Sequence, residues 1–166
     1  MTTVPIDEIV TIRPYGTIII HNSIVVDGEK KFGMEDKKNI TCYTHVHSDH
    51  ICGLDNALGG INSRVYSTKE TKILASELFK DDYEHVKDRK NYFGLEYNEV
   101  KEEGDYKITF LKTHHILGSA QLLVRNEKYN PGERSILYSS DFILEGTMIA
   151  KDVNYLILDA THGKHS

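Results

Sequence analysis

Four short apolar runs in this sequence are each followed within three residues by histidine or aspartate. The runs end near residues 43, 111, 138 and 158, and the polar groups that follow them are His45 to His50, His114-His115, Asp141 and Asp159. Short runs rich in β-branched and aromatic residues are typical of strands. Because adjacent strands deliver their ends to one edge of a sheet, we expect these side chains to converge. One polar residue at a strand end is an ordinary cap, but four such ends favour a shared site.

The densest group reads Thr-His-Val-His-Ser-Asp-His over residues 44–50. Three imidazoles and a carboxylate at this spacing are ligands that suit a zinc-type divalent ion. The alternative is a polar turn whose histidines are merely solvated, and the other strand ends argue against it. The pattern His-x-His-x-Asp-His therefore predicts an enzyme that uses metal-bound hydroxide.

Bulk composition fits one globular domain over residues 1–166. The chain is 39% hydrophobic and 27% charged, which is ordinary for a soluble protein that buries a core. Its net charge is −5, and it has no basic stripe of the kind that marks a general nucleic-acid binder. If the substrate is a polyanion, bound metals must supply much of the local positive charge.

Two cysteines, Cys42 and Cys52, flank the histidine cluster. Two cysteines form no disulfide framework, so a reducing compartment is expected. The sequence also has no signal-peptide pattern and no apolar run of membrane-spanning length. These features predict a cytoplasmic protein without a membrane partner.

The periodicity along the chain predicts an α/β protein built of stacked sheet and helix layers. Residues 17–26 read as a hairpin, and residues 51–58 as a short helix. A capping box with Ser67 as N-cap predicts a second helix that runs to about residue 79. The charged stretch 81–90, with His85, is expected to be a solvated loop, and residues 153–158 a buried strand.

In their order along the chain, these motifs resemble those of the metallo-β-lactamase superfamily, and within it the β-CASP nucleases. Residues 44–50 resemble the second motif, and residues 114–121 (His-His-Ile-Leu-Gly-Ser-Ala-Gln) the third. Residues 138–142 resemble the fourth, commonly Ser-Gly-Asp-Phe or Tyr. Residues 156–163 resemble the β-CASP acid-Thr-Tyr-Gly motif, with His162 in place of tyrosine. The third motif is most similar to the ligase-associated DNA exonuclease and mRNA 3′-end-processing branch.

This resemblance implies an αββα sandwich that holds two zinc ions. The implied ligands of the first ion are His45, His47 and His115, because His114 stands where the family usually has glycine. The implied second site contains Asp49 and His50, with Asp141 bridging both ions. Catalytic roles are implied for Asp49 and for Asp159, which would orient a ligand histidine. Two such ions can share a hydroxide that attacks a phosphodiester.

Members of this family are longer than 166 residues. They carry a β-CASP cap after the Asp-Ala-Thr segment, and a later histidine completes the second metal site. The resemblance therefore covers an N-terminal portion only, apparently truncated and without the cap. Three interpretations are open: the chain is a fragment, a second chain or copy completes the sandwich as a hetero- or homo-oligomer, or His162 or His165 replaces the late ligand.

The leading functional hypothesis is a zinc-dependent nuclease acting on single-stranded DNA or RNA, in RNA processing or DNA repair. One alternative is a hydrolase of the same fold that acts on a small ester, thioester or phosphodiester. Another is a non-catalytic subunit of a processing complex. The choices between DNA and RNA, and between endonuclease and exonuclease, stay open.

Overall fold

Two mixed β-sheets pack face to face in the computed structural model, which describes residues 9–13, 16–28, 40–60, 62–79, 86 and 88–159. The first sheet has six strands in sequential order: β1 (Val10–Ile12), β2 (Ile18–Ile20), β3 (Ile24–Val26), β4 (Ile40–Cys42), β5 (Arg64–Thr68) and β6 (Tyr92–Leu95). The β1–β2 and β2–β3 pairs are antiparallel, whereas β3 to β6 run parallel to their neighbours. The parallel strands are joined by helical or long connections, as this geometry requires.

The second sheet has five strands in the order β11-β10-β9-β8-β7. Its strands are β7 (Val100–Glu103), β8 (Tyr106–Lys112), β9 (Ala120–Asn126), β10 (Ser135–Tyr138) and β11 (Tyr155–Ile157). The pairs from β7 to β10 are antiparallel, and β11 joins β10 in parallel at the edge. In consequence β8 and β10 point the same way, and their carboxyl ends reach the same edge of the sheet.

The main core lies between the two sheets. Strands β2 and β3 alternate buried and half-buried residues, so their isoleucine and valine side chains supply one face. Strands β8 to β10 supply the other face with Ile108, Phe110, Leu122, Val124 and Ile136, all fully buried. Burial of an aliphatic or aromatic side chain of this size contributes about 1.5–3 kcal/mol, which makes this layer the main source of cohesion.

The outer face of the first sheet is covered by three helices: α1 (Ser48–Ile51), α2 (Leu54–Gly59) and α3 (Lys69–Leu78). Their apolar residues form a second core with the sheet residues Tyr43, Val65 and Tyr92. The outer face of the second sheet carries Leu111, Leu123 and Leu137, packed against Ala150 and Val153 of an irregular segment. In the described residues the predicted αββα sandwich is thus present as one helical layer and both sheets.

Several elements match the sequence expectations and three differ. The 17–26 hairpin is present, and Ile18 pairs with Val26. The helix expected over 51–58 is split into α1 and α2. The N-cap of α3 is Thr68, whose Oγ1 accepts from the Thr71 amide at 3.1 Å. The expected N-cap Ser67 was wrong, because this residue continues β5 and pairs with Gly94.

The third difference concerns the strand expected to be buried over 153–158. It forms β11, an edge strand on which Leu156 is 56% exposed, and Leu158 just after it is 59% exposed. His85, His162 and His165 lie outside the described residues. Among the described residues, no helix has both the length and the apolar character needed to span a membrane.

Candidate metal centre

Donor groups from three separate strand ends meet at one edge of the sandwich. His45 and His47 follow β4, His115 follows β8, and Asp141 follows β10. Each of these four residues offers one ligand atom, and the four atoms all lie within 4.8 Å of one another. Sequence separation between the first and last of them is nearly a hundred residues, so only the two packed sheets bring them together.

The distances within this group fit a tetrahedral zinc-type ion. His47 Nδ1 lies 3.0 Å from His45 Nε2 and 3.1 Å from His115 Nε2. Asp141 Oδ2 lies 3.3 Å from His115 Nε2 and 3.8 Å from His45 Nε2. Ligand bonds of 2.0–2.1 Å in a tetrahedron put neighbouring donors about 3.3 Å apart. The three nitrogens and one oxygen bracket that value, so this donor set fits the implied metal.

A second set of donors shares Asp141 with the first. His50 Nε2 lies 3.6 Å from Asp141 Oδ1 and 3.8 Å from Asp49 Oδ2. The two oxygens of Asp141 therefore face different histidines. Asp49 is 78% exposed at its side chain, whereas Asp141 is 25% exposed. The second set is more open than the first and offers three donor groups among the described residues.

Asp27 is a site residue that the sequence reasoning missed. This buried carboxylate follows β3, and its Oδ2 lies 2.8 Å from His50 Nδ1. It also accepts from Thr44, at 2.8 Å from the amide and 2.7 Å from the hydroxyl. A carboxylate that holds one ring nitrogen of a histidine fixes which nitrogen is free to bind a metal.

The same sequence signal that found the other groups points to Asp27. The run Ile24-Val25-Val26 is apolar and is followed directly by Asp27, while His45, His115 and Asp141 each follow their strands by three positions. Sequence reasoning assigns this run to the early hairpin and therefore overlooks the aspartate after it. The parallel pairing of β3 with β4 places its end beside the 44–50 segment.

The electrostatics differ between the two histidines at the centre of the site. Burial, and then the neighbouring His50, His47 and His115, lower the pKa of His45 to about 2. Burial also works against a charged His50, but its hydrogen bond to Asp27 and the charges of Asp27, Asp141 and Asp49 raise its pKa to about 9. His45 is thus neutral near pH 7 and has a lone pair to offer. A metal at His50 would displace a proton.

The pKa of His115 is lowered as well, to a smaller degree than that of His45. Burial is the main cause that lowers its pKa, and the charge of Asp141 opposes the shift. The adjacent His114 is exposed, and its ring lies beside Gly146, where an added Cβ would approach the ring to 2.5 Å. Of the two consecutive histidines, His115 is therefore the one that the fold directs into the donor group.

Next to the second donor set lies a cavity of about 340 Å³. Its polar wall contains Asp27, Asp49, His50 and Asp159, and its apolar wall includes Ile157. The backbone amide of Asp159 donates to Ser139 Oγ at 2.9 Å. Asp159 thus lines the cavity, and both its catalytic role and an orienting hydrogen bond from its carboxylate to a ligand histidine stay predictions.

No family model matches the chain, but one sequence relative and several solved structures do. An RNase named aCSPSF2 from Saccharolobus solfataricus is 28% identical over 174 residues, which cover 86% of this chain and 34% of the RNase. This chain therefore spans about a third of the length of that relative.

Two solved structures show the same fold. A metallo-β-lactamase from Cronobacter sakazakii with an HARLDQ motif superposes with a TM-score of 0.56 and 13% identity, covering 84% of this chain and 61% of that one. A protein of unknown function from Enterococcus faecalis V583 gives a TM-score of 0.53 and 19% identity, covering 77% and 40% of the two chains. The chain therefore has the metallo-β-lactamase fold, and its similarity to the RNase agrees with the resemblance of its motifs to those of the β-CASP nucleases.

Proposed function

We propose that this chain provides the metal-binding part of a hydrolase that cleaves phosphodiester bonds in RNA. The observation that carries the proposal is the convergence of His45, His47, His115 and Asp141 around one point. A donor group of this kind, beside a cavity large enough for a nucleotide phosphate, is what metal-assisted phosphodiester cleavage requires.

Two zinc ions are the metals that we propose for the site. His45, His47 and His115 would hold one ion and Asp49 with His50 the other, while the two oxygens of Asp141 would serve both. When bound, such ions activate water near neutral pH and neutralise charge on the phosphate under attack. The support for this assignment is the tetrahedral spacing of the first donor set and the sharing of Asp141.

The carboxylates around the cavity have separate proposed roles. Asp27 keeps His50 oriented through the 2.8 Å contact at Nδ1. The exposed side chain of Asp49 can accept a proton from water in the cavity, and Asp159, which also lines the cavity, can orient the substrate or a ligand histidine. We therefore assign catalytic roles to Asp49, which would also be a metal ligand, and to Asp159.

RNA is the substrate that we favour, because the relative is an RNase. The charge of this site supports a dependence on metal ions. Three carboxylates line the cavity, and the chain carries a net charge of −5, so a phosphodiester is repelled unless cations are bound. We also propose a cytoplasmic location, since the two cysteines of the sequence, Cys42 and Cys52, form no disulfide framework of the kind that secreted domains carry.

The test is cleavage of end-labelled single-stranded RNA and DNA oligonucleotides of the same sequence, with zinc present and with chelator present. We expect RNA cleavage that requires zinc, with Asp141→Ala abolishing both cleavage and most of the bound metal. Asp105→Ala is the matched control. Asp105 lies in the turn after β7, and its half-exposed carboxylate pairs with Lys128.

Other outcomes identify the alternatives. Bound zinc with hydrolysis of a small ester or thioester, and none of RNA, would make the protein a small-substrate hydrolase. Less than about 0.2 metal per chain after purification without chelator would favour a non-catalytic subunit, because an intact donor set of this kind retains its ion. Cleavage that survives Asp141→Ala would refute the proposed mechanism.

A further inference from the structure

Two hydroxyl groups lie behind the metal donors and are not ligands themselves. Ser140 Oγ donates to Thr44 Oγ1 at 2.7 Å, and Thr44 Oγ1 donates to Asp27 Oδ2 at 2.7 Å. Both hydroxyls also lie next to the ring of His45: Nδ1 is 3.2 Å from Thr44 Oγ1 and 3.4 Å from Ser140 Oγ. We call this chain of contacts the relay. Its four residues, Asp27, Thr44, Ser140 and His45, are all buried.

The direction of the hydrogen bonds follows from counting hydrogens. A carboxylate can only accept, so the single hydrogen of Thr44 is committed to Asp27. The single hydrogen of Ser140 is committed to Thr44, because its 2.7 Å contact is far shorter than the 3.4 Å contact to His45. Neither hydroxyl has a hydrogen left for His45 Nδ1. A hydrogen on Nδ1 itself is therefore the arrangement in which this contact becomes a hydrogen bond.

The hydrogen on Nδ1 determines what His45 can bind. With Nδ1 donating into the hydroxyl pair, Nε2 carries the lone pair, and Nε2 is the atom that faces His47 and Asp141. Isolated neutral imidazole in water offers both tautomers, so the relay selects one. Asp27 thereby orients two histidines, His50 by direct contact and His45 through Thr44.

The backbone conformation of Ser140 is a second sign that its hydroxyl contributes to the site. Its φ is +51°, a left-handed conformation that favours glycine. The motif that this segment resembles commonly has glycine at this position. A serine at this position is strained relative to glycine. Its hydroxyl is fully buried and donates to Thr44, a contact that glycine could not make.

We propose that Thr44 and Ser140 are positioning residues that hold the hydrogen of His45 on Nδ1 and so direct its Nε2 lone pair into the donor group. The effect on metal affinity rests on the proposed metal-binding function, but the position of the hydrogen on His45 does not require a metal. The two can therefore fail separately.

The first measurement is long-range proton–nitrogen NMR of the imidazoles in the metal-free protein near neutral pH. We expect a hydrogen on Nδ1 of His45 and none on Nε2 in the wild type. A hydrogen on Nε2 would overturn the inference whatever the protein cleaves. In Thr44→Val, which keeps the shape of the side chain but lacks its hydroxyl, the Nδ1 preference should be lost, whereas Thr44→Ser should retain it.

The second measurement is zinc affinity by competition with a chromogenic chelator. Loss of a group that orients a ligand typically weakens metal binding about 10- to 100-fold, and we expect this for Thr44→Val, with Thr44→Ser close to wild type. Equal affinities for wild type and Thr44→Val would overturn the inference. If neither the wild type nor Thr44→Val binds zinc, the proposed function fails, and the NMR result alone decides the positioning role.

Two variants at Ser140 separate the effect of backbone strain from the effect of the hydroxyl. Ser140→Gly and Ser140→Ala both lack the hydroxyl, but only glycine relieves the strain at φ +51°. We expect both variants to lose affinity by a similar factor, about 10-fold, while Ser140→Gly unfolds at a higher temperature than Ser140→Ala. If Ser140→Gly binds zinc as tightly as wild type, the hydroxyl of Ser140 has no positioning role.

Discussion

Replacement of Asp27 by asparagine should make the stability of the metal-free protein depend on pH in a new way. Asp27 accepts three hydrogen bonds, from the Thr44 amide, the Thr44 hydroxyl and His50 Nδ1, at 2.7–2.8 Å. In Asp27→Asn, one of the two oxygens becomes an NH₂ group. Whichever oxygen is replaced, at least one of the three donors then faces another donor, and the negative charge beside His50 is lost.

The magnitude follows from the pKa of His50, which the site raises from 6.5 to about 9. A pKa raised to about 9 is equivalent to about 3 kcal/mol of preferential stabilisation of the protonated imidazole, contributed by Asp27 first and then by Asp141 and Asp49. Because the pKa is raised in the folded state, this stabilisation is fully present below about pH 6.5. It is lost as the pH rises through about 9.

The assay is urea unfolding of the metal-free wild type and Asp27→Asn in chelator, at about pH 6 and about pH 9.5. The free energy of unfolding of the variant should fall below wild type by up to about 3 kcal/mol more at the lower pH than at the higher one, since Asp27 heads the three carboxylates that raise this pKa. The lost contacts to Thr44 destabilise the variant equally at both values and cancel in the difference. Asp105→Asn, at a half-exposed carboxylate, serves as the control that should show no such difference.

One result would refute this reasoning. If Asp27→Asn is destabilised by the same amount at both pH values, the carboxylate does not hold a proton on His50. The tautomer assigned to His50, and with it the availability of Nε2, would then have to be abandoned. NMR titration of His50 in the metal-free wild type gives an independent check, with a midpoint near 9 expected.

Three further predictions concern other parts of the chain. His115→Ala should remove most of the bound zinc in elemental analysis, whereas His114→Ala should retain it, because only His115 faces the donor group. Gly118→Ala should lower the free energy of unfolding by about 2 kcal/mol or more in urea, since φ is +87° and the new Cβ would lie 2.7 Å from the Thr71 amide. Burial lowers the pKa of His21, so stability should fall as the pH drops below about 6.5, by up to about 1.4 kcal/mol per unit. His21→Phe should remove that dependence in urea unfolding at about pH 5 and pH 7.

Each of these has a contrary result. Zinc lost from His114→Ala but kept by His115→Ala would reverse the assignment of the pair. A Gly118→Ala variant as stable as wild type would mean that the 118 turn adapts its backbone. An unchanged acid dependence in His21→Phe would mean that His21, stacked 3.8 Å from the ring of Tyr129, is not the group that takes up the proton.

Local features were predictable from sequence because covalent spacing fixes them. The His-x-His-x-Asp-His segment follows a strand, and the helix after β5 ends at Leu78, near the expected residue 79. The choice of Thr68 over Ser67 as N-cap was not predictable, since both are good capping residues. It depended on how far β5 pairs with β6, which is a long-range matter.

Exposure was less predictable than strand position. The apolar run over 153–158 contains a strand, but β11 has only β10 as a neighbour among the described residues. Leu156 is consequently 56% exposed, although the sequence pattern is that of a buried strand. A run of apolar residues indicates that a strand forms, whereas the position of that strand in the sheet determines how far it is buried.

The sequence by itself determined the type of chemistry: the imidazole and carboxylate groups, their position at strand ends and the family they resemble. The tertiary structure alone decided which of those groups meet. It brought His115, which the motif resemblance had already favoured over His114, into the donor group, added Asp27 from the hairpin strand, and linked Thr44 to Ser140 across ninety-six positions. The physical reason is that side-chain chemistry is a property of each residue, whereas the distance between remote residues depends on strand order and on the packing of the two sheets.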